Sequence, residues 1–182
     1  MPKTRTSEPG PRATPVARRV LGIDTSLRSS GIAVVEARGN SFAALDYGVI
    51  KNKPGLPLSE CLLTLSRRLA DMLARHTPGA VAIEGAFYHK NARTAMILGH
   101  ARGVAIATCA DAGVPVYEYA PRKMKQAIVG FGNASKEQVL RMVMTLLALE
   151  EEPKEDAADA LALALCHLHN RSACAPLAPN PI

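Results

Sequence analysis

The chain has 182 residues, of which 48% are hydrophobic and 21% charged, with a formal net charge of +6. That length and balance suit one globular domain with a sizeable core and exclude a disordered or fibrous protein. The longest apolar run near the C-terminus, residues 160–166, is too short to cross a bilayer, so no membrane role is expected.

Residues 1–19 carry Lys3, Arg5, Arg12, Arg18 and Arg19 against a single acid, Glu8, with four prolines among them. A disordered basic arm is expected there, and no apolar segment of a secretory signal follows Lys3 and Arg5. Order is expected to begin at Val20, with a strand over 20–24, a polar turn, a second strand over 31–36 and a third over about 43–50. The short spacers predict an antiparallel meander. After Pro54-Gly55-Leu56-Pro57, the apolar residues Leu58, Cys61, Leu62, Leu65, Leu69, Met72 and Leu73 keep helical spacing. Strand four is expected over 80–84, a helix rich in small residues over about 91–112, and a short strand over 115–119. Helices are expected over about 122–129, from the capping box Ser135/Gln138 to about Leu149, and over about 156–169. The domain is thus expected over 20–170, with a flexible tail over 171–182.

Four acids stand out within this pattern. Asp24 ends the first strand and Glu84 the fourth, and a carboxylate closing a buried strand is costly to dehydrate unless something positive neutralises it. Asp156 and Asp159, three apart, share a helix face. Clustered carboxylate oxygens are the ligand set that Mg²⁺ or Mn²⁺ prefers, which points to a metal-dependent enzyme acting on phosphate. Six acids crowd residues 150–159, so the remainder of the folded part is distinctly basic and suits a polyanion. Cys61, Cys109, Cys166 and Cys174 show no C-x-x-C or metal-finger spacing, which suits reduced core thiols and a cytoplasmic location. The five histidines show no metal spacing either, and His167 and His169 are two apart.

Three antiparallel strands, then helix–strand–helix–strand, then C-terminal helices is the order of an α/β, ribonuclease H-like fold: a mixed five-stranded sheet flanked by helices. In it strands one and four become parallel neighbours, so Asp24 and Glu84 end side by side, with Asp156 and Asp159 brought across from them.

The stretches 21–24, 83–91, 98–105, 119–130 and 156–162 resemble the RuvC Holliday-junction resolvases, in that family's order and over about Val20 to His169. The resemblance implies a dimeric, Mg-dependent endonuclease that cuts four-way DNA junctions symmetrically, with a RuvA/RuvB-type branch-migration complex as a further partner. It assigns the catalytic carboxylates to Asp24, Glu84, Asp156 and Asp159, holding two Mg²⁺ or Mn²⁺ ions roughly 3.5–4 Å apart. It places Lys125 near the scissile phosphate, and Phe87, Tyr88, Lys90, Arg122 and Lys123 on DNA. The chain departs from the family pattern at Thr25-Ser26, where Pro-Gly is usual, and at Gly85, where a polar side chain is common.

Other readings of the same residues stay open. Asp156 also stands where an acid complements a helix dipole, Glu84 could pair with an internal Arg, and Phe87, Tyr88 and Lys125 could be ordinary packing or solvated surface. Two rival classes remain as well. One is an actin- or sugar-kinase-like phosphotransferase fragment, suggested by Gly-Ile-Asp followed by Thr-Ser. The other is a non-catalytic junction-binding module. The small-residue helix over 91–112 is expected to serve either as a dimer interface or as close packing against the sheet.

Overall fold

The turns after β1 (Arg19–Asp24) and β2 (Ser29–Arg38) leave no room for a crossover, and β1, β2 and β3 (Ser41–Lys51) pair antiparallel. α1 (Leu58–His76) returns the chain so that β4 (Ala80–Glu84) lies parallel beside β1. α2 (Ala92–Asp111) then delivers β5 (Val116–Tyr119) parallel to β4. α3 (Pro121–Val129), α4 (Lys136–Leu147) and α5 (Glu155–Ala173) follow. The computed structural model, which describes residues 18–85, 91–173 and 180–182, thus holds one mixed sheet in the order β3-β2-β1-β4-β5. This is the ribonuclease H-like arrangement expected.

Strand side chains alternate between the two faces. Leu21, Ile23, Val34, Val81 and Ile83 join the core under α1 and α2, while Val20, Ala33, Val35, Ala80 and Ala82 join the core under α3, α4 and α5. The second face is built of small residues because the backbone of α5 lies directly on it. A Cβ on Gly22 would meet the Ala160 carbonyl oxygen at 1.9 Å, and one on Gly31 would meet that of Asp156 at 1.7 Å. Seated between the sheet and the other two helices, α5 is buried from Ala157 to Leu168 except at Asp159. A helix hydrophobic all round is a core helix, and the apolar run that is too short for a bilayer fills this role. Among the described residues no helix is long and apolar enough to cross a membrane.

Several element ends differ from expectation for local reasons. β1 begins at Arg19, which pairs opposite Glu36 and donates its Nε to that carboxylate at 2.7 Å. β2 and β3 are longer at both ends than expected, because their ladder continues from Ser29↔Lys51 to Arg38↔Ser41. α4 ends two residues before Leu149, at a left-handed Ala148 (φ 49°) whose N–H returns to the Met144 and Thr145 carbonyls. α5 runs past His169 to Ala173, since neither Gly nor Pro interrupts it. At the far end of the chain, the Ile182 N–H donates to the Val116 carbonyl on β5 at 2.9 Å. Cys61, Cys109 and Cys166 are buried free thiols, and burial pushes those of Cys109 and Cys166 up to about 12. Cys174 lies outside the described residues.

Candidate active site

The parallel register Ile23↔Ile83 brings the ends of β1 and β4 level, so Asp24 and Glu84 follow as neighbours. Alternation does the rest. Asp24 has the parity of Val20 and Gly22, and Glu84 that of Ala80 and Ala82, so both acids belong to the face that α5 covers. Because glycines let α5 approach so closely, its first turns bring Asp156 and Asp159 to the same cavity. One cavity is lined by Asp24, Glu84, Asp156 and Asp159 together with Lys125, Lys136, Glu155, Pro121, Met124 and Val139. The four expected carboxylates and Lys125 are therefore brought together.

Crowding like charges away from water raises their pKa values. Burial, then Asp159, Glu84 and Asp156, push Asp24 up to about 7, against a smaller opposing pull from Lys136. Glu84 is raised by burial and by Asp159, with Lys136 and Arg102 opposing. Asp159 is raised chiefly by burial, opposed by Lys136 and supported by Glu155 and Asp156. Among the described residues no arginine pairs with the Glu84 side chain: Arg102 donates to its backbone carbonyl and pairs with Glu118. The reading of Glu84 as half of an internal ion pair is thus set aside.

The acids are not drawn in around a point. Ser29 Oγ donates to the Asp156 carboxylate, and Lys136 Nζ lies against Glu155 and 3.9 Å from Asp159. As the side chains stand, no group of three or more His, Cys, Asp or Glu among the described residues has the arrangement of a metal site. The donor set nevertheless fits a hard divalent cation: four carboxylates around one cavity, with Asp24 held at a protonation cost that a positive ion would relieve.

Lys136, Ser29 and Glu155 escaped sequence reasoning. The capping box correctly predicted that α4 starts after Ser135, but no local signal says that the first residue of that helix overhangs acids from β1, β4 and α5. Lys125 is positioned by its own bond to the Ala134 carbonyl at 2.7 Å. Arg122 and Lys123 are exposed and lie outside the residues lining the cavity. Phe87, Tyr88 and Lys90 lie outside the described residues. Three of the histidines are engaged elsewhere: His167 with the Tyr119 hydroxyl at 2.9 Å, His169 with the Ala127 carbonyl at 3.1 Å, His76 with Asp46 at 3.1 Å. Where Thr25-Ser26 replace Pro-Gly, Ser30 pins the turn, its Oγ accepting from the Ser26 N–H at 3.0 Å and donating to the Ser26 carbonyl. At Gly85, a Cβ would approach Glu118 Oε1 at 3.0 Å.

Residues 20–167 match the family described as crossover junction endodeoxyribonuclease RuvC. The chain is 48% identical over 162 residues to the protein of that name from Myxococcus xanthus, covering 88% of this chain and 85% of that one. It is 45% identical over 152 residues to the one from Pelotomaculum thermopropionicum, covering 83% and 93%. Among solved structures it resembles T. thermophilus RuvC in complex with Holliday junction substrate, with a TM-score of 0.85, 35% identity, and coverage of 91% of this chain and 99% of that one.

Proposed function

Because the chain belongs to the RuvC family of crossover junction endodeoxyribonucleases, we propose that the acid cavity is where it hydrolyses the phosphodiester backbone of four-way DNA junctions. The observation that carries this reading is the convergence of Asp24, Glu84, Asp156 and Asp159 on one cavity that also holds Lys125 and Lys136. The family is dependent on divalent metal. We assign two Mg²⁺ or Mn²⁺ ions to these four carboxylates, supplying Lewis-acid charge neutralisation and a water activated at neutral pH.

The protein's own groups do the remainder. The small-residue floor of Gly22 and Gly31 holds Asp156 and Asp159 over the strand ends and keeps the four acids at fixed mutual positions. Lys125, steadied by the Ala134 carbonyl, and Lys136, at the positive end of α4, face the cavity with positive charge. They stabilise the phosphate as negative charge builds on its oxygens and the 3′ oxygen departs. Arg122 and Lys123, exposed on the first turn of α3, bind the flanking backbone; Phe87, Tyr88 and Lys90 are assigned to DNA by family resemblance.

Paired incisions need two such sites, and the partner is a second copy. The structure divides the small residues of α2: Ala101, Ala105 and Cys109 are buried against the core, whereas Gly99 and Gly103 face open space. The outward pair, with the exposed Met96 beside it, is the proposed contact. The activity is placed in the cytoplasm, alongside a RuvA/RuvB-type branch-migration complex. The alternatives of a phosphotransferase fragment and a non-catalytic module are not supported by the family match.

The deciding experiment incubates wild-type protein and Asp24→Asn with a synthetic four-way junction and with linear duplex, with and without Mg²⁺. Metal-dependent, paired cuts in the junction by wild type are expected, with binding but no cleavage by the variant. Normal nicking by Asp24→Asn would reject the site assignment.

A further inference from the structure

The segment joining α3 to α4 holds a phenylalanine where core packing does not need one. Phe131 is 48% exposed, and it stands between two glycines. Gly130 adopts φ +94° and closes α3 by returning its N–H to the Gln126 carbonyl, a left-handed cap that turns the chain sharply outward. Gly132 then passes so close to Arg122 that a Cβ there would lie 2.4 Å from Arg122 Cγ. Two residues on, Ala134 is buried and its carbonyl takes the Lys125 ammonium at 2.7 Å, and Ser135 caps α4. The loop is therefore tied down on both sides of its exposed ring.

The ties also locate the ring. Lys125, on the near side of the loop, and Lys136, on the far side, both line the acid cavity. Arg122, which supports Gly132, and its neighbour Lys123 are exposed on the first turn of α3. A rigidly held aromatic on a cationic rim is the arrangement that single-stranded nucleic acid recognises: cations follow the phosphates while the ring face takes a base. A protein partner would meet an isolated ring on a loop whose neighbours Arg122, Lys123, Lys125 and Lys136 are cationic, which suits it less well.

Building on the nuclease reading above, we propose that Phe131 stacks on a nucleobase of the strand whose phosphate enters the acid cavity. Stacking needs a base whose face is open, so the contact selects DNA with interrupted stacking, as at a junction crossover, over continuous duplex. Phe131 is thereby a specificity-determining residue contributed by the loop between α3 and α4.

The test compares wild type with Phe131→Ala, Phe131→Leu and Phe131→Trp on synthetic four-way junctions carrying single 2-aminopurines around the cut position. An exposed side chain should be removable without loss of folding, checked by an unchanged thermal midpoint. With Phe131→Ala, junction affinity should fall about 5- to 100-fold. The 2-aminopurine quenching seen with wild type should disappear at one position, and discrimination against linear duplex should narrow. Phe131→Trp should restore all three, and Phe131→Leu, apolar but without a π-face, should not. Unchanged affinity and quenching in Phe131→Ala, or full rescue by Phe131→Leu, would overturn the proposal. The two readings fail separately: a wild type that never cuts junctions defeats the nuclease assignment, whereas an active wild type matched by Phe131→Ala defeats only this one.

Discussion

At one end of the central strands Glu36 lies between Arg19 at 2.7 Å and Arg38 at 2.8 Å, and Asp46 meets Arg75 at 2.9 Å and His76 at 3.1 Å. At the other end Asp24, Glu84, Asp156 and Asp159 share a cavity with Lys125 and Lys136. The carboxylates respond in opposite directions. Hydrogen bonds from Arg19 and Arg38 hold Glu36 below the usual range. Asp46 is pushed upward by burial but brought below its usual value by His76 and Arg75. Asp24, Glu84 and Asp159 are all raised. The first end matches charge with charge and serves the fold. The second concentrates charge of one sign at a cost to the fold, which is how sites that bind an external cation or react are built.

The largest expected effect tests the crowded end directly. Asp24→Asn should lower cleavage by roughly 10³-fold or more while leaving junction binding in place, measured by single-turnover cleavage and gel shift. The same variant should stabilise the metal-free protein. The folded pKa of Asp24, about 7, lies above its unfolded value of 3.8, so the folded state binds more protons in between. The contribution of Asp24 to wild-type stability is therefore fully present below about pH 4 and is lost as pH rises through 7. Denaturant titrations in EDTA should show Asp24→Asn gaining on the order of 2 to 4 kcal/mol at pH 8 and nothing at pH 4. Parallel pH profiles for the two proteins would break the comparison.

Lys136→Ala comes next. Removing the ammonium that opposes the raised pKa values of Asp24, Glu84 and Asp159 should cut the rate roughly 100-fold. It should also steepen the stability loss of metal-free protein above neutral pH. Gly22→Ala is expected to cost about 1 to 3 kcal/mol in a denaturant melt, because its Cβ would overlap the Ala160 carbonyl. It should lose cleavage as well, since α5 carries two of the acids. The smallest effect belongs to the paired end. Asp46→Asn should lower stability by less than about 1 kcal/mol, with cleavage unchanged. A large activity loss there would erase the distinction between the two ends.

Much of this was legible from local pattern. Continuous apolar runs marked β1 and β4, period-3.6 spacing marked α1, and the Ser135/Gln138 box marked the start of α4, because burial and backbone hydrogen bonding act between near neighbours. An acid at the end of a buried strand was visible for the same reason, as was the shared helix face of Asp156 and Asp159. The tertiary structure alone decided what those acids meet. Lys136 enters their cavity, Ser29 takes hold of Asp156, and the small residues of α2 divide into an inward set and an outward one, Gly99 and Gly103. These contacts join residues as far apart as Ser29 and Asp156. Their geometry depends on how closely two backbones approach at Gly22 and Gly31, a distance that no local propensity encodes.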